Sequence, residues 1–462
     1  MLMITIVKEL EEELERQPLT SSTALSYFFC QGTDENLDNA AAVLRGLIYI
    51  LCIKQPSLTS HLHDRYDHAG AKLFQDANSF YALSKVLKNI LQDERLQRVY
   101  LAVDALDECM ADQDQLLRFI AGPEMASPRV RWLVSSRNIS RIENLLKTDS
   151  PEGFPGSEVR LSLEVTQNAE QVALAVSGFI DHKLSTIGSL QKDRKTRDQV
   201  RDIMREKANG TFLWVALVIN ELQKPDSVDM LEVLEELPEN LEGLYDRMIQ
   251  QIRNLRKKTS EFCRLVLSAA TLAYRPLHLH ELAIVSGLPE IYANRVRQVV
   301  DLCGSFLTVK GNVVYLIHQS VKDYLTGRAS QTIFPSGPSE IHHTMFVQSI
   351  EALSNGILRR DIYDLQHLGT TTDDVKVPEP DPLASVRYSC VPWARHFCDA
   401  DSGNRCCKTA DLERIDKFIR AVFLYWLEAA ALLRRMSEVI VSMQQLETAL
   451  KVSTLPRFTR KD

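Results

Sequence analysis

The sequence has no apolar run long enough to cross a membrane. Its two longest apolar runs, residues 40–53 and 421–433, are short and contain Arg45 and Glu428, whereas a spanning helix needs about 20 apolar residues. The N-terminus becomes acidic from Glu9 onward and has no basic stretch ahead of an apolar one. It therefore does not read as a signal peptide, and these absences predict a cytoplasmic protein without a membrane segment.

The sequence also lacks an excess of basic residues. It has 54 Lys and Arg against 61 Asp and Glu, which gives a formal net charge of −7. Phosphate contacts dominate the affinity of nucleic-acid binders, so such proteins usually present a basic face. We therefore predict that neither nucleic acid nor a membrane surface is a partner.

Cysteines are few and do not form a framework. There are nine, an odd number scattered through apolar segments, as expected of reduced core residues rather than disulfides. One group has the side-chain types of a zinc site: His396, Cys398, Cys406 and Cys407. Its spacing matches no C-x₂-C pair, so we interpret these four residues as structural.

Two catalytic signatures are absent. No G-x-S-x-G elbow occurs, which disfavours a serine hydrolase. No Gly-Lys dipeptide occurs either, and hence no G-x-x-x-x-G-K-[ST] loop. In that loop, backbone N–H groups and the lysine cradle phosphates at a helix N-terminus.

What is present in the first part of the chain is an alternation of helices and strands. Apolar residues at helical spacing predict an amphipathic helix from residue 1 to 17. Runs rich in β-branched and aromatic residues predict strands at 25–31, 98–105, 130–137 and 159–165, with helices around 40–53, 112–121 and 138–147. This order predicts an α/β unit with a parallel sheet.

The second part of the chain is mostly helical in pattern. Within it, two short apolar runs joined by Lys310, Gly311 and Asn312 predict a β-hairpin that follows helices, as in a winged helix. A Pro- and Thr-rich stretch at 369–382 predicts a surface loop before a last helical segment. We predict four parts: an α/β domain at 1–192, a helical domain at 193–270, a winged helix at 271–330 and a C-terminal helical segment at 331–462.

Three carboxylates follow the strand at 98–105: Asp104, Asp107 and Glu108. An Asp at the end of a buried strand can hold Mg²⁺, and a nearby carboxylate can orient or deprotonate an attacking water. The alternative is a solvated turn or helix cap, and the motif alone favours neither interpretation.

Two further features favour the nucleotide-site interpretation. Ser135, Ser136 and Arg137 end the adjacent strand, where polar groups can sense a terminal phosphate. His318 ends a strand of the predicted hairpin, where an imidazole can donate to a phosphate; on its own, a capping or core histidine is the commoner interpretation.

Ten sequence blocks occur in a characteristic order: YFFCQGTD, LRGLIYIL, LAVDALDEC, VRWLVSSRN, NGTFLWVALV, GLYDRM, YRPLHLHELA, GSFLTVKG, HQSVKDYL and RRDIY. In this order they resemble fungal NACHT proteins, which belong to the STAND class of P-loop NTPases and act in heterokaryon incompatibility. The similarity extends to about residue 450.

The resemblance implies a fold and a set of site residues. The fold is α/β and then mostly α: a P-loop NTPase-like parallel sheet with flanking helices, followed by helical and winged-helix domains. Asp104 would hold Mg²⁺, Asp107 and Glu108 would be the catalytic acids, and Arg137 and His318 would contact the nucleotide, ATP or GTP. The segment 209–212 would contact the base.

The same resemblance implies that parts are missing. In the family, the phosphate loop and the strand before it precede the helix with which this sequence opens, and sensor repeats follow the last helical segment. We therefore expect a truncated chain with an incomplete sheet. Asp104 alone is not expected to support nucleotide hydrolysis.

Two functions of different classes remain open. The first is a remnant or fragment of a NACHT nucleotide-dependent signalling switch. The second is a nonenzymatic interaction scaffold that binds protein partners, among them other NACHT proteins, through its helical and winged-helix regions. A DNA-binding winged helix is disfavoured, because the segment LHLHELAIVSGLPE contains no Lys or Arg to contact phosphates.

Overall fold

The computed structural model describes residues 2–16, 23–70, 79–122, 125, 127–146, 166–208, 210–223, 230–365, 367, 370–372, 374–401 and 409–454. The chain forms two compact units, Met1–Arg160 and Leu161–Asp462. The strand predicted at 159–165 lies outside the described residues. No described helix is both long enough and apolar enough to cross a bilayer.

The first unit is a parallel sheet between helices. Its elements are α1 (Leu2–Glu15), β1 (Thr23–Phe29), α2 (Ala40–Lys54), α3 (Ser60–Ala69), α4 (Ser79–Leu91), β2 (Arg98–Asp104), α5 (Gln113–Ala121), β3 (Val130–Val134) and α6 (Ser140–Leu146). The strand order is β1-β2-β3 and both pairings are parallel. The predicted parallel sheet with flanking helices is thus confirmed.

Strand β2 is central and apolar on both faces. Val99, Leu101 and Val103 join the core that α2, α4 and α5 build on one face. On the other face, Met3 and Val7 of α1 pack against Leu25 of β1 and Ala102 of β2. This two-sided burial explains why the strand reads as a continuous apolar run instead of an alternating one.

Helix α2 approaches the sheet closely because Gly46 has no side chain. A Cβ atom on Gly46 would lie 2.4 Å from Cδ2 of Phe28 in β1. The Ser26 hydroxyl of the same strand is buried and donates to the Leu47 carbonyl of α2 at 2.8 Å. This close contact and this hydrogen bond together determine the position of α2 on β1.

The second unit is predominantly helical. Before its small sheet it contains α7 (Thr166–Ser185), α8 (Gly188–Lys192), α9 (Arg194–Lys207), α10 (Phe212–Leu222), α11 (Met230–Glu236), α12 (Leu241–Arg253) and α13 (Lys257–Leu272). Around and after the sheet it contains α14 (Leu279–Val285), α15 (Val296–Leu302), α16 (Gln319–Thr326), α17 (Ser330–Ile333), α18 (Pro338–Ala352), α19 (Trp393–Asp401), α20 (Thr409–Leu432) and α21 (Met436–Thr454). The predicted change from α/β to mostly α is confirmed.

The predicted β-hairpin is present. Strands β5 (Leu307–Lys310) and β6 (Val313–Leu316) pair antiparallel, and β4 (Leu277–His278) joins the other edge of β6. Gly311 and Asn312 both have positive φ, 54° and 67°. A two-residue turn with this geometry matches the twist of the paired strands.

Two apolar cores hold the second unit together. One runs from Val176 to Tyr388 and includes the fully buried Trp214 and Phe306. The other lies among the C-terminal helices, where Trp393, Phe418 and Trp426 meet edge to face with ring centroids 5.3–5.9 Å apart. Buried aromatic clusters of this kind contribute strongly to stability.

The C-terminal end of α11 is held by one lysine. Nζ of Lys207 donates to the carbonyls of Leu234, Glu235 and Leu237 at 2.8–3.0 Å. A cation at a helix C-terminus satisfies orphan carbonyls and complements the helix dipole. We expect Lys207→Met to lower the free energy of unfolding by about 1–3 kcal/mol, because these are hydrogen bonds from a charged donor.

The measurement is urea denaturation of the full chain followed by far-UV circular dichroism. Lys258→Met on α13 removes the same charge from an exposed side chain and is the matched control. Equal midpoints for the two variants would show that the Lys207 contacts do not stabilise the fold.

Candidate functional site

Three loops meet at the carboxyl edge of the parallel sheet. They follow β1 (30–39), β2 (105–112) and β3 (135–139), and backbone hydrogen bonds join them. Cys30 N donates to the Asp104 carbonyl at 3.1 Å, and Leu106 N donates to the Ser135 carbonyl at 2.9 Å. In open sheets with parallel strands, ligands bind at this edge.

Asp104 ends β2 and is held by Ser135. The Ser135 hydroxyl donates to Oδ1 of Asp104 and accepts a hydrogen bond from Ala105 N at 2.9 Å. Ala105 has a left-handed backbone, with φ 53°, so the chain turns sharply after Asp104. Only Oδ1 takes part in the bond with Ser135, and Oδ2 can therefore accept a ligand from outside the protein.

Asp107 is paired with Arg137. Oδ1 accepts from Arg137 N at 2.9 Å and Oδ2 accepts from Arg137 Nε at 2.5 Å. The Asp107 side chain is only 5% exposed, whereas that of Arg137 is 60% exposed. The pair therefore fixes the loop after β3 against the loop after β2, while most of the guanidinium stays open to solvent.

Glu108 reaches the loop after β1. Its Oε2 accepts from Gly32 N at 2.9 Å. Burial raises the pKa of this carboxyl, and the negative charges of Asp107 and Asp104 raise it further. The hydrogen bond from Gly32 has the opposite effect and lowers the pKa. A carboxylate with a raised pKa is a better proton acceptor than an exposed one.

Two buried thiols lie beside the carboxylates. Burial raises the pKa of Cys30, and the charges of Glu108, Asp104 and Asp107 raise it further. Burial likewise raises the pKa of Cys109 to about 12. Both thiols stay protonated at neutral pH, so neither is a thiolate nucleophile.

The residues of this edge fit Mg²⁺ if they supply one ligand and other groups complete the coordination shell. The described part of the chain has no group of three or more His, Cys, Asp or Glu that could hold a metal ion, which disfavours a metal caged by protein alone. In nucleotide sites Mg²⁺ commonly takes one or two carboxylates and completes its shell with water and phosphate oxygens. Oδ2 of Asp104 has the chemistry of such a ligand.

His318 belongs to the second unit, where it caps a helix. Its Nδ1 accepts from Ser320 N at 3.1 Å at the start of α16, and the Ser320 hydroxyl lies 2.9 Å from the same nitrogen. Because Nδ1 is an acceptor, the proton of the neutral ring is on Nε2. The His318 side chain is exposed, and its capping role favours the tautomer that carries the N–H on Nε2.

The segment predicted to contact the base lies beside a cavity of the second unit. Asn209 is outside the described residues; Gly210 has φ 73° and turns the chain into α10. The cavity measures about 450 Å³ and is lined by residues of α7, by Arg205 and by Gly210. Contact of residues 209–212 with a base remains a prediction.

Sequence reasoning missed Gly32 as a member of the site and Ser135 as the partner of Asp104. These contacts act across 76 and 31 residues, and no local pattern signals such pairs.

The group of His396, Cys398, Cys406 and Cys407, which we interpreted as structural, is partly described. His396 is fully buried, and Cys406 and Cys407 lie outside the described residues. The hydrogen-bond partners of His396 are a tyrosine and a histidine.

Comparison with known proteins agrees with the motif resemblance. Residues 1–137 match the family described as nephrocystin 3, N-terminal. The chain is 40% identical over 471 aligned residues to the vegetative incompatibility protein HET-E-1 of Podospora anserina, an alignment that covers 97% of this chain. It spans 34%, about a third, of that relative's length.

Among solved structures, the Walker-type ATPase of Pyrococcus abyssi aligns with 69% of this chain and 94% of its own. The sequence identity is 14% and the TM-score 0.30, which does not establish a common fold. The sequence relationship is the stronger finding. The chain is similar along nearly its whole length to a vegetative incompatibility protein, and the predicted resemblance to proteins of the heterokaryon-incompatibility type is confirmed.

Proposed function

We propose that this chain is a nucleotide-responsive part of a NACHT-type signalling protein that acts in incompatibility. The observation that carries the proposal is the convergence of Asp104, Asp107, Glu108 and Arg137 at the carboxyl edge of the sheet. Similarity to an incompatibility protein supports the signalling context.

Each residue has a distinct role in the proposal. Asp104 would hold Mg²⁺ through Oδ2, and the ion would supply charge neutralisation for the phosphates. Asp107 positions Arg137, whose guanidinium would suit a phosphate oxygen. Glu108, with its raised pKa, would accept a proton from water only where a phosphate loop is also supplied.

The second unit has a role of its own in the proposal. In the proposal, strands β4 to β6 and their helices would form the predicted winged helix at 271–330, and a helical domain at 193–270 would precede it. His318 would present Nε2–H as a hydrogen-bond donor to a nucleotide phosphate. The α/β domain at 1–192 and the segment 331–462 complete the proposed division.

Hydrolysis by this chain alone is not part of the proposal. The sequence has no G-x-x-x-x-G-K-[ST] loop, so it lacks the motif that supplies a phosphate cradle and a lysine charge. Binding through Mg²⁺ and a carboxylate edge is possible without that loop, but it is weaker because fewer groups contact the phosphates.

The first prediction concerns Mg²⁺-dependent nucleotide binding. Fluorescence anisotropy with methylanthraniloyl ATP and GTP is expected to detect weak binding to the full chain in Mg²⁺ and less in EDTA. Asp104→Asn removes the charge that attracts the cation and is expected to weaken binding about tenfold, equivalent to about 1.4 kcal/mol.

Asp112→Asn is the matched control for that experiment. Asp112 lies in the same loop, is exposed, and has a left-handed backbone (φ 57°) that Asn also adopts. It makes the same charge change and is expected to leave the affinity unchanged. If Asp104→Asn and Asp112→Asn bind alike, Asp104 is not the cation ligand.

The second prediction concerns turnover. Phosphate release from ATP or GTP by the full chain in Mg²⁺ is expected to equal that of Glu108→Gln, which removes the proposed base without a large change in shape. Release that disappears in Glu108→Gln and persists in Asp112→Asn would show that the chain is an NTPase.

An interaction scaffold is the second candidate function. It is favoured by apolar side chains that the described C-terminal helices leave exposed: Leu424 at 74%, Ile440 at 53% and Val441 at 52%. Such residues on helices can contact a protein partner. Absence of Mg²⁺-dependent nucleotide binding, together with nucleotide-independent association in sedimentation velocity, would favour this candidate.

A further inference from the structure

A chain of hydrogen bonds crosses the second unit between the segment after α13 and the C-terminal helices. Tyr274 N donates to the Tyr388 hydroxyl at 3.2 Å, which lies 2.8 Å from Nε2 of His396. Nδ1 of His396 lies 2.8 Å from Nδ1 of His342. The bonds join α18 and α19 to the turn that leads into β4.

The two inner members of this chain, His396 and Tyr388, are shielded from water, whereas Tyr274 and His342 are partly buried. His396 is 0% exposed and Tyr388 2% exposed. The rings of His396 and Tyr274 stack with centroids 4.5 Å apart. A buried polar atom that loses its partner costs about 1–3 kcal/mol, so the pattern of donors and acceptors here has few alternatives.

One arrangement of protons makes every bond in this chain. In it, the Tyr388 hydroxyl accepts from Tyr274 N and donates its own proton to Nε2 of His396. Nε2 is then an acceptor, so the proton of neutral His396 is on Nδ1 and is donated to Nδ1 of His342. His342 in turn carries its proton on Nε2. Every bond in the chain is made when both imidazoles are neutral.

Protonation disrupts this arrangement. A proton added to Nε2 of His396 opposes the hydroxyl proton of Tyr388, which must then turn away. A proton added to Nδ1 of His342 faces the N–H of His396, and two donors then oppose each other across 2.8 Å. A doubly protonated pair would also place two positive charges together in a buried site.

Charged groups surround the pair on every packed element. From α19, Arg395 lies 3.8 Å above the Tyr274 ring, and Asp399 accepts from the Tyr274 hydroxyl. From α14, Glu281 pairs with Arg275 at 2.8 Å and accepts from Tyr388 N at 3.1 Å.

Other histidines of this unit lie near the same elements. His343, next to His342 on α18, pairs with Asp411 of α20, which also contacts Arg414. His278, at the start of α14, stacks on His280. Burial lowers the pKa of His278, and the charges of His280, Arg387 and Arg275 lower it further. The negative charge of Glu281 has the opposite effect.

The direction of the pH effect follows from these surroundings. Burial lowers the pKa of His396, and His342 and Arg395 lower it further. Burial lowers the pKa of His342, where Arg395 acts in the same direction and Asp399 opposes it. Histidines with a depressed pKa take up protons on opening, so the closed form is fully favoured above about pH 6.5 and loses stability as the pH falls below it.

We propose that the His342–His396 pair is an acid-sensitive latch, which holds α18 and α19 against the Tyr274–Glu281 segment while both imidazoles are neutral and releases them when the pair takes up protons. The latch is independent of nucleotide and of the carboxylate edge in the first unit. It would make the contact of the C-terminal helices with the hairpin region respond to acidification.

The test is amide hydrogen exchange of the full chain, corrected for intrinsic rates, on peptides that cover 274–281 and 388–399. Two histidines that titrate near pH 6.5 when exposed increase the opening constant about 60-fold between pH 6 and pH 5, and one increases it about 8-fold. We expect the wild-type increase to exceed that of His342→Asn by about 8-fold.

The Asn side chain at position 342 keeps an acceptor for the His396 N–H but cannot titrate. His343→Asn, one position along α18, is the matched control, because it removes a histidine outside the pair and is expected to keep the wild-type increase. Equal increases in wild type and His342→Asn, or an increase lost in His343→Asn, would overturn the proposal.

A second measurement needs no variant. Exchange of the imidazole C2 proton, followed by mass spectrometry across pH, reports the pKa of each histidine in the wild-type chain. We expect His342 and His396 to exchange slowly and to titrate below the ordinary histidine range. Titration of both near pH 6.5 with rapid exchange would show that the pair is neither buried nor coupled to closure.

Discussion

The position of β2 in the middle of a parallel sheet is the constraint on which the carboxylate edge depends. Both neighbours of β2 run in its direction, so all three strands end on the same side. A strand that is buried on both faces cannot carry charged residues along its length. Its acids therefore stand where the chain leaves the sheet, beside the loops that leave the other strands.

The succession of strands and helices along the chain could be predicted because the strands are rich in β-branched and aromatic residues and the helices show apolar residues at helical spacing. The acids at the end of β2 could also be predicted, because Asp104 ends an apolar run. The residues that hydrogen-bond to these acids could not be predicted. Ser135 and Gly32 contact the carboxylates across 31 and 76 residues, and only the folded sheet brings those positions together. Local sequence patterns predict helices and strands, whereas a site depends on which of these elements lie close together in the fold.

His318 illustrates a second limit of sequence reasoning. A histidine before a helix can cap that helix or contact a bound nucleotide, and the flanking sequence does not distinguish the two roles. In the structure it caps α16 through Nδ1, and this role fixes which nitrogen carries the proton. Capping uses Nδ1, whereas the proposed donation to a phosphate would use Nε2, so the two roles require different nitrogens.

Buried polar groups in the second unit require a different explanation from its apolar core. Phe306 and Phe418 contribute cohesion by burial alone, whereas Glu281 and His396 lose their hydrogen bonds to water and replace them only through correctly placed partners. Replacing such groups with apolar residues of similar volume is often neutral or stabilising.

Their contribution is therefore specificity: the Glu281 carboxylate and the histidine chain accept one arrangement of α14, α18 and α19 and penalise others. In the proposed latch, protonation of the histidine chain removes this specificity and frees α18 and α19 from the Tyr274–Glu281 segment.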